Sequence, residues 1–457
     1  MFAPEIYCQR REGLFSQLKS GLVLLLGNHD CSRNYRDNIL SFRQDSTFLY
    51  YFGLDEPGLA AVLDIDAGTA CLYGHDVTVV EQIWVGSQPL LKDKALAVGM
   101  TETAPIQSLA EVVQKAAAAS RPIHVLPQYR SKNRLTLLSL LGAEPSPSEA
   151  LIRAVVAQRS IKSSEEIAEI ERALTLSYRM HTTAMQLARP GKVEREVVGY
   201  IEGMVKSQGM SLAFPTIFSV RGEVLHNPTH DNTMKAEDMV VYDSGAESPL
   251  HYASDITRTI PVSGRFTAKQ REIYEIVLTA QERAIGAAMP GVEFRALHRL
   301  AATEIVSGLA ALGILKGDVE EAVNADVHTL FFQCGLGHMM GLDVHDMENL
   351  GEQYVGYTDT LQQSQDFGWC SLRLGKALAP NYVVTVEPGI YFIGDLIDQW
   401  RSENKLTQFI NYTVLETYRG FGGIRLEDDI LVTSQGNRLL GRPIPKTIAD
   451  VEQICTS

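Results

Sequence analysis

The chain repeats itself. Pro190-Gly191-Lys192-Val193-Glu194-Arg195 returns 100 residues later as Pro290-Gly291-Val292-Glu293-Phe294-Arg295. Each copy follows a long helical stretch (164–188 and 267–288) and opens another (194–208 and 294–312). Strand-like segments come after each copy, at 213–220 and 330–344. A single PGxxxR match arises readily by chance, but a shared helix–PG–helix–strand order points to duplication. Two α-α-β halves of this kind bring residues from both into the groove between them.

Five residues in this region share an unusual setting. Asp243, Asp255, His338, Glu387 and Glu427 each sit in, or at the end of, a short apolar run that reads as a strand: VVYDSG, ASDITRTIPV, CGLGHMMGLDVHD, VVTVEPGIYF and GIRLEDDILV. A carboxylate on a buried strand is costly unless a cation or hydrogen-bond donors compensate it. The segment from Asp243 to Asp255 reads as a hairpin with its loop around Glu247–Leu250. Arg425 and Glu427, two residues apart, face the same side of their strand. Taken singly, Asp255 could cap a turn, His338 could be a hydrogen-bonded core histidine, and Glu427 could be solvated. Together the five read as a dinuclear metal site, and four carboxylates with one imidazole suit a hard or borderline divalent cation such as Mn²⁺.

Composition restricts the partners. With 457 residues, 45% apolar and 21% charged, the chain has the make-up of a soluble globular protein of two domains. Its net charge of −14 argues against nucleic acid and against an anionic membrane as partners. The start, MFAPEIYCQRREG, lacks the apolar core of a secretory signal, and Leu22–Leu26 is too short to span a bilayer. Six cysteines (Cys8, Cys31, Cys71, Cys334, Cys370, Cys455) include no CxxC pair. That usage fits a reducing compartment, and a cytoplasmic location is expected.

Residues 1–160 read as an N-terminal α/β domain. Strand-like runs GLVLLLG, FLYYFGL, LAAVLDI and PIHVLP alternate with helical stretches such as 107–119. The two prolines of Glu144–Glu149 mark a connection, and a helix through Leu151–Ser160 leads to a second domain, 161–457. That domain opens with SSEEIAEIERALTLSYRMHTTAM, whose serine cap and glutamate-rich first turn predict a long helix.

The five residues and their flanks resemble the metallopeptidases of the pita-bread fold, in particular the proline-directed branch of prolidase (Xaa-Pro dipeptidase) and aminopeptidase P. FRQDSTFLYYFGLDEPG (42–58) resembles the N-terminal domain of that branch, so the likeness extends over nearly the whole chain. The resemblance implies an α/β (α+β) protein: an N-terminal α/β domain followed by a pita-bread domain with duplicated α-α-β halves. It implies that Asp243 holds one metal, that Asp255 and Glu427 bridge two, and that His338 and Glu387 hold the other. His226 in VLHNPTH matches a histidine that contacts substrate, and His345 one that stabilises the tetrahedral intermediate. Arg373, in SLRLGKALAPNYVVTVEPG, aligns with the prolidase arginine that holds the carboxylate of a dipeptide; Arg425 and Tyr391 are expected at the same end of the pocket.

The implied activity is hydrolysis of the bond before proline in short peptides, with Glu387 as proton acceptor and a homodimer as the assembly. The long segment between Glu387 and Glu427 and the Arg373 flank favour prolidase, with aminopeptidase P as the alternative. Two features depart from the pattern. Asp243 and Asp255 stand one residue further apart than is common, and Asn227 follows His226 where tyrosine is usual. Metal-free relatives of the fold serve as interaction modules or hydrolyse a small C–N bond, and a complete ligand set argues against both.

Overall fold

The computed structural model describes every residue except Pro145, so the Glu144–Glu149 connection lies partly outside the described residues. Two compact units emerge: Met1–Arg159 with Met347–Tyr354, and Ser160–Asp346 with Val355–Ser457. Among the described residues no helix is long and apolar enough to cross a membrane.

The first unit is built on a mixed five-stranded sheet. Its strands are β1 (Leu22–Leu26), β2 (Ala60–Asp64), β3 (Thr69–Gly74), β4 (Glu102–Pro105) and β5 (Ile123–His124), in the order β4-β3-β2-β1-β5. Leu22, Leu24 and Leu26 of β1 pack with Val62, Val113 and Leu137 in its core. FLYYFGL, expected as a strand, is instead the end of a helix, Ser46–Phe52. The Asp45 carboxylate caps it by accepting from the Phe48 N–H at 2.9 Å, and Gly53 ends it at φ 61°. All seven residues of the helix are buried. An apolar run buried on every side carries no period by which to tell helix from strand.

In the second unit the expected helices form as Ser164–Leu187, Glu194–Ser207, Ala268–Ala287 and Phe294–Ala311. The first is fixed by a capping box between Ser163 and Glu166, the third by one between Thr267 and Gln270. The duplication holds bond by bond. Gly191 and Gly291 both take φ 86°, a left-handed conformation that glycine adopts without strain. The Gly191 N–H donates to Met234 O and the Gly291 N–H to Leu378 O, each at 2.8 Å. Glu194 N–H to Asn232 O and Phe294 N–H to Lys376 O repeat the pattern at 3.0 Å.

Beyond Met234 and Leu378, at equal distance along the chain, come the strands β8 (Met239–Asp243) and β11 (Val383–Val386). Around them run β6 (Ser211–Leu212), β7 (Ile217–Ser219), β9 (Ala246–Glu247), β10 (Thr257–Pro261), β12 (Gly389–Tyr391), β13 (Gly423–Arg425), β14 (Asp428–Val432) and β15 (Asn437–Leu439). One half forms the antiparallel sheet β10-β8-β7, the other β11-β14-β15, with β12 paired to β13 and β6 to β9. The halves are stitched where the Glu427 N–H donates to Thr257 O at 3.1 Å and the Arg425 N–H to Thr259 Oγ1 at 3.1 Å.

The segment 330–344, expected to be strand-like, forms no regular strand. It runs beside β11 with the Met340 N–H on Val383 O and the Thr385 N–H on His338 O. Glycines let it approach so closely: a Cβ on Gly337 would lie 2.1 Å from Thr385 O, and one on Gly335 2.7 Å from Ser371 O.

Candidate metal centre

The repeat sets two acidic residues in corresponding places. Asp243 ends β8 opposite Thr257 of β10. Glu387 follows β11; the pairs Val386↔Asp428 and Gly389↔Arg425 on either side place it across from Glu427. Asp255 lies two residues ahead of β10, its backbone N–H held by Asp429 Oδ2 at 3.0 Å. The hairpin loop between Asp243 and Asp255 carries β9, and His251 takes φ 68° there, with its Nδ1 3.0 Å from Glu247 Oε2.

His338 completes the set. Its Nδ1 is 3.0 Å from the Met339 carbonyl, which can only accept, so Nδ1 carries the proton and Nε2 presents a lone pair. That Nε2 stands 3.4 Å from Asp255 Oδ2 and 3.7 Å from Glu387 Oε1. One ligand atom each from Asp255, His338 and Glu427 lie within 4.8 Å of one another.

Asp243 Oδ1, Asp255 Oδ1 and Glu427 Oε1 are buried and have no hydrogen-bond partner among the described residues. Each such oxygen carries the full cost of lost hydration, which is larger for a charged group. Burial, reinforced by the neighbouring carboxylates, pushes Asp255 and Glu427 well above the usual carboxylate range. Glu387 is pushed up to about 8, also by burial first. Ionised together, these groups need positive charge between them. Asp255, Glu427 and the His338 lone pair, clustered with orphaned carboxylate oxygens, fit a divalent cation, and Glu387 and Asp243 beside them extend the donor set towards a second.

Further contacts hold the candidate ligands in place. Thr257 Oγ1 donates to Glu427 Oε2 at 2.7 Å and accepts from Arg425 Nε at 3.1 Å. Arg425 also donates from Nη2 to Asp243 Oδ2 at 2.6 Å and from Nη1 to the Tyr391 hydroxyl at 3.0 Å. The shared contacts on Thr257 bear out the common face of Arg425 and Glu427. Arg425, which donates to Asp243, Tyr391 and Thr257, also lines the cavity, whereas Tyr391 is buried behind it and is not among the lining residues. Arg258, wholly buried, clamps the backbone beneath by donating to Glu427 O at 2.6 Å and Thr257 O at 2.8 Å. Thr257 was legible in principle, two residues past Asp255 on the same strand face.

The carboxylates and His338 open onto a cavity of about 700 Å³ whose wall includes His226, Asn227, His345 and Arg373. His345 packs against His338 with ring centroids 4.4 Å apart at 67°. His226 is at the exposed rim, and Asn227 is engaged locally, donating from Nδ2 to Ser219 Oγ at 2.9 Å. The long segment between Glu387 and Glu427 folds into two short helices, Gly394–Ser402 and Tyr412–Glu416.

Comparison with known proteins agrees with this geometry. The model of metallopeptidase family M24 matches residues 168–434, and that of the aminopeptidase P N-terminal domain matches 7–125. The chain is 32% identical to the Xaa-Pro dipeptidase of Homo sapiens over 463 residues, covering 97% of this chain and 90% of that protein. It is 31% identical to the Xaa-Pro aminopeptidase of Haemophilus influenzae over 466 residues, covering 98% and 97%. Among solved structures it matches the Pseudomonas aeruginosa aminopeptidase PepP with a TM-score of 0.83 at 27% identity, over 100% of this chain and 98% of the other. Zinc-substituted E. coli aminopeptidase P in complex with product matches with a TM-score of 0.82 at 28% identity, over 100% and 98%. The chain thus belongs to metallopeptidase family M24, in its pita-bread fold behind an N-terminal domain of the aminopeptidase P kind.

Proposed function

We propose that this metallopeptidase hydrolyses the bond between an N-terminal residue and a following proline in short peptides, with Xaa-Pro dipeptides as its main substrates. The observation that carries the reading is the cluster of Asp255, Glu427 and His338 at the cavity wall, with a buried carboxylate oxygen left unpartnered on Asp255, Glu427 and Asp243 among the described residues. Relatives named Xaa-Pro dipeptidase and Xaa-Pro aminopeptidase, similar over nearly the whole chain, support the substrate class.

Asp243, Asp255, His338, Glu387 and Glu427 would hold two divalent cations, which would supply Lewis acidity and activate a water when bound. The oxygen-rich donor set favours Mn²⁺. Glu387, whose side chain is 21% exposed, is open enough to take a proton from the attacking water and return it to the departing proline nitrogen. His345 donates a hydrogen bond to the oxyanion, and His226 contacts the substrate from the rim. Proline offers no N–H, so the site needs no acceptor for one. Arg373, half-buried in the cavity wall, pairs with the free carboxylate of the dipeptide through its planar fork.

Aminopeptidase P activity on longer peptides is the second reading, favoured by the full-length match to aminopeptidase structures. Comparing Gly-Pro or Ala-Pro with an Xaa-Pro-Xaa tripeptide in Mn²⁺ separates the two. Faster turnover of the dipeptide supports prolidase, and faster turnover of the tripeptide supports the aminopeptidase.

A homodimer fits the apolar helix Val79–Val85, on which Trp84 is 83% and Ile83 76% exposed. A domain boundary at residue 160 is supported by the division of the two units between Arg159 and Ser160. Six free cysteines suit the cytoplasm, and the net charge of −14 speaks against nucleic acid and anionic membranes.

A further inference from the structure

Beneath the turn that carries His345 lies an ion pair that takes no part in the ligand set. Lys162 Nζ donates to Asp346 Oδ2 at 2.9 Å, and each side chain is only 1% exposed. The partners are 184 residues apart in sequence. Both ends are anchored close to the centre. The Lys162 N–H donates at 2.9 Å to the carbonyl of Asn381, just ahead of β11, the strand that leads into Glu387. Asp346 closes the turn from Met339, its N–H on Met339 O at 2.9 Å. His338 directly precedes that turn, and His345 is the last residue before Asp346.

The turn is moulded around the pair. A Cβ on Gly341 would lie 2.7 Å from Asp346 Oδ2 and 2.9 Å from Lys162 Cε, so only glycine lets the backbone pass over it. Withdrawing two full charges from water is expensive, and an apolar pair of similar volume often stabilises a fold as well or better. What the ion pair adds here is a fixed arrangement of the turn that holds His345 against His338.

We propose that Lys162 and Asp346 form a positioning pair that sets His345 for the oxyanion, an inference that rests on the role given to His345 above. The pair lies outside the five candidate ligands and acts through the backbone of residues 339–346.

The test is the double variant Lys162→Met/Asp346→Leu, which removes both charges and strands neither. It is made with His345 present and in the His345→Ala background, with metal content and Tm measured throughout. With His345 present, kcat on an Xaa-Pro dipeptide should fall by about 10²-fold, the scale of a roughly 1 Å misplacement, at unchanged KM and metal content. In the His345→Ala background the same change should lower kcat by no more than about twofold, because the group being positioned is gone. Lys162→Arg, which keeps the cation, should recover most of the activity. An equal loss in both backgrounds, or none in either, overturns the inference. Should the double variant not fold, Lys162→Met and Asp346→Asn singly are compared across the same two backgrounds. A His345→Ala enzyme with full kcat would instead refute the role assigned to His345 itself.

Discussion

Stripping the metal should make this protein less stable as pH rises. Without a cation, burial holds Glu387 at about 8 against its ordinary 4.5. Burial and the neighbouring carboxylates hold Asp255 and Glu427 well above the usual range. The folded, metal-free chain therefore keeps protons that the unfolded chain has released. Stability falls with pH wherever the native state binds more protons than the unfolded one. The loss begins near the unfolded pKa, about 4.5, and for Glu387 is complete only above about 8. Glu387 alone contributes roughly 5 kcal/mol of it, and Asp255 and Glu427 add to that and carry it further up the scale. This is comparable with the whole stability of an ordinary domain. Bound cations keep the carboxylates ionised and should remove the dependence. Urea unfolding of chelated and Mn²⁺-reloaded protein, between about pH 5 and 8.5, measures both slopes. Glu387→Gln in the chelated form should flatten the slope by the share of Glu387. A metal-free midpoint that stays level or rises over this interval would refute the reasoning.

Asp255→Asn or Glu427→Gln should lose nearly all activity while far-UV circular dichroism stays native, because each removes an expected bridging carboxylate. His345→Ala should lower kcat by roughly 10²–10³ with metal content unchanged, as for a lost oxyanion donor; loss of metal would make His345 a ligand or support. Arg373→Ala should raise KM for an Xaa-Pro dipeptide by roughly 10–100-fold while changing little on any longer peptide that is cleaved. If both substrates are cleaved alike and neither rate moves in Arg373→Ala, aminopeptidase P becomes the better description.

The ligand region was the most legible part of the chain because duplication left the same signature twice. Pro190-Gly191 and Pro290-Gly291 mark the same left-handed turn, and each leads to a strand with a carboxylate at its far end. A carboxylate on a buried strand demands compensation, and that demand could be read from sequence at Asp243, Asp255, Glu387 and Glu427. Two local assignments were not legible. FLYYFGL became a helix because full burial erases period, and its capping Asp45 and Gly53 were the signals available. The approach to His338 gave no strand because Gly335 and Gly337 serve close backbone contact rather than regular pairing. The bracing contacts were hidden for another reason. Arg425 with Asp243 and Lys162 with Asp346 join residues 182 and 184 positions apart, and a single sequence carries no record of which distant charge meets which.

Hydrolysis is expected to depend on two divalent cations held by Asp243, Asp255, His338, Glu387 and Glu427. The most direct measurement is a titration of chelated enzyme with Mn²⁺, following bound metal and Xaa-Pro dipeptide hydrolysis in the same samples. Activity should be absent at the start, return with added metal, and reach its plateau at two ions per chain. Full turnover by the metal-free protein, or a plateau without bound metal, would contradict the account.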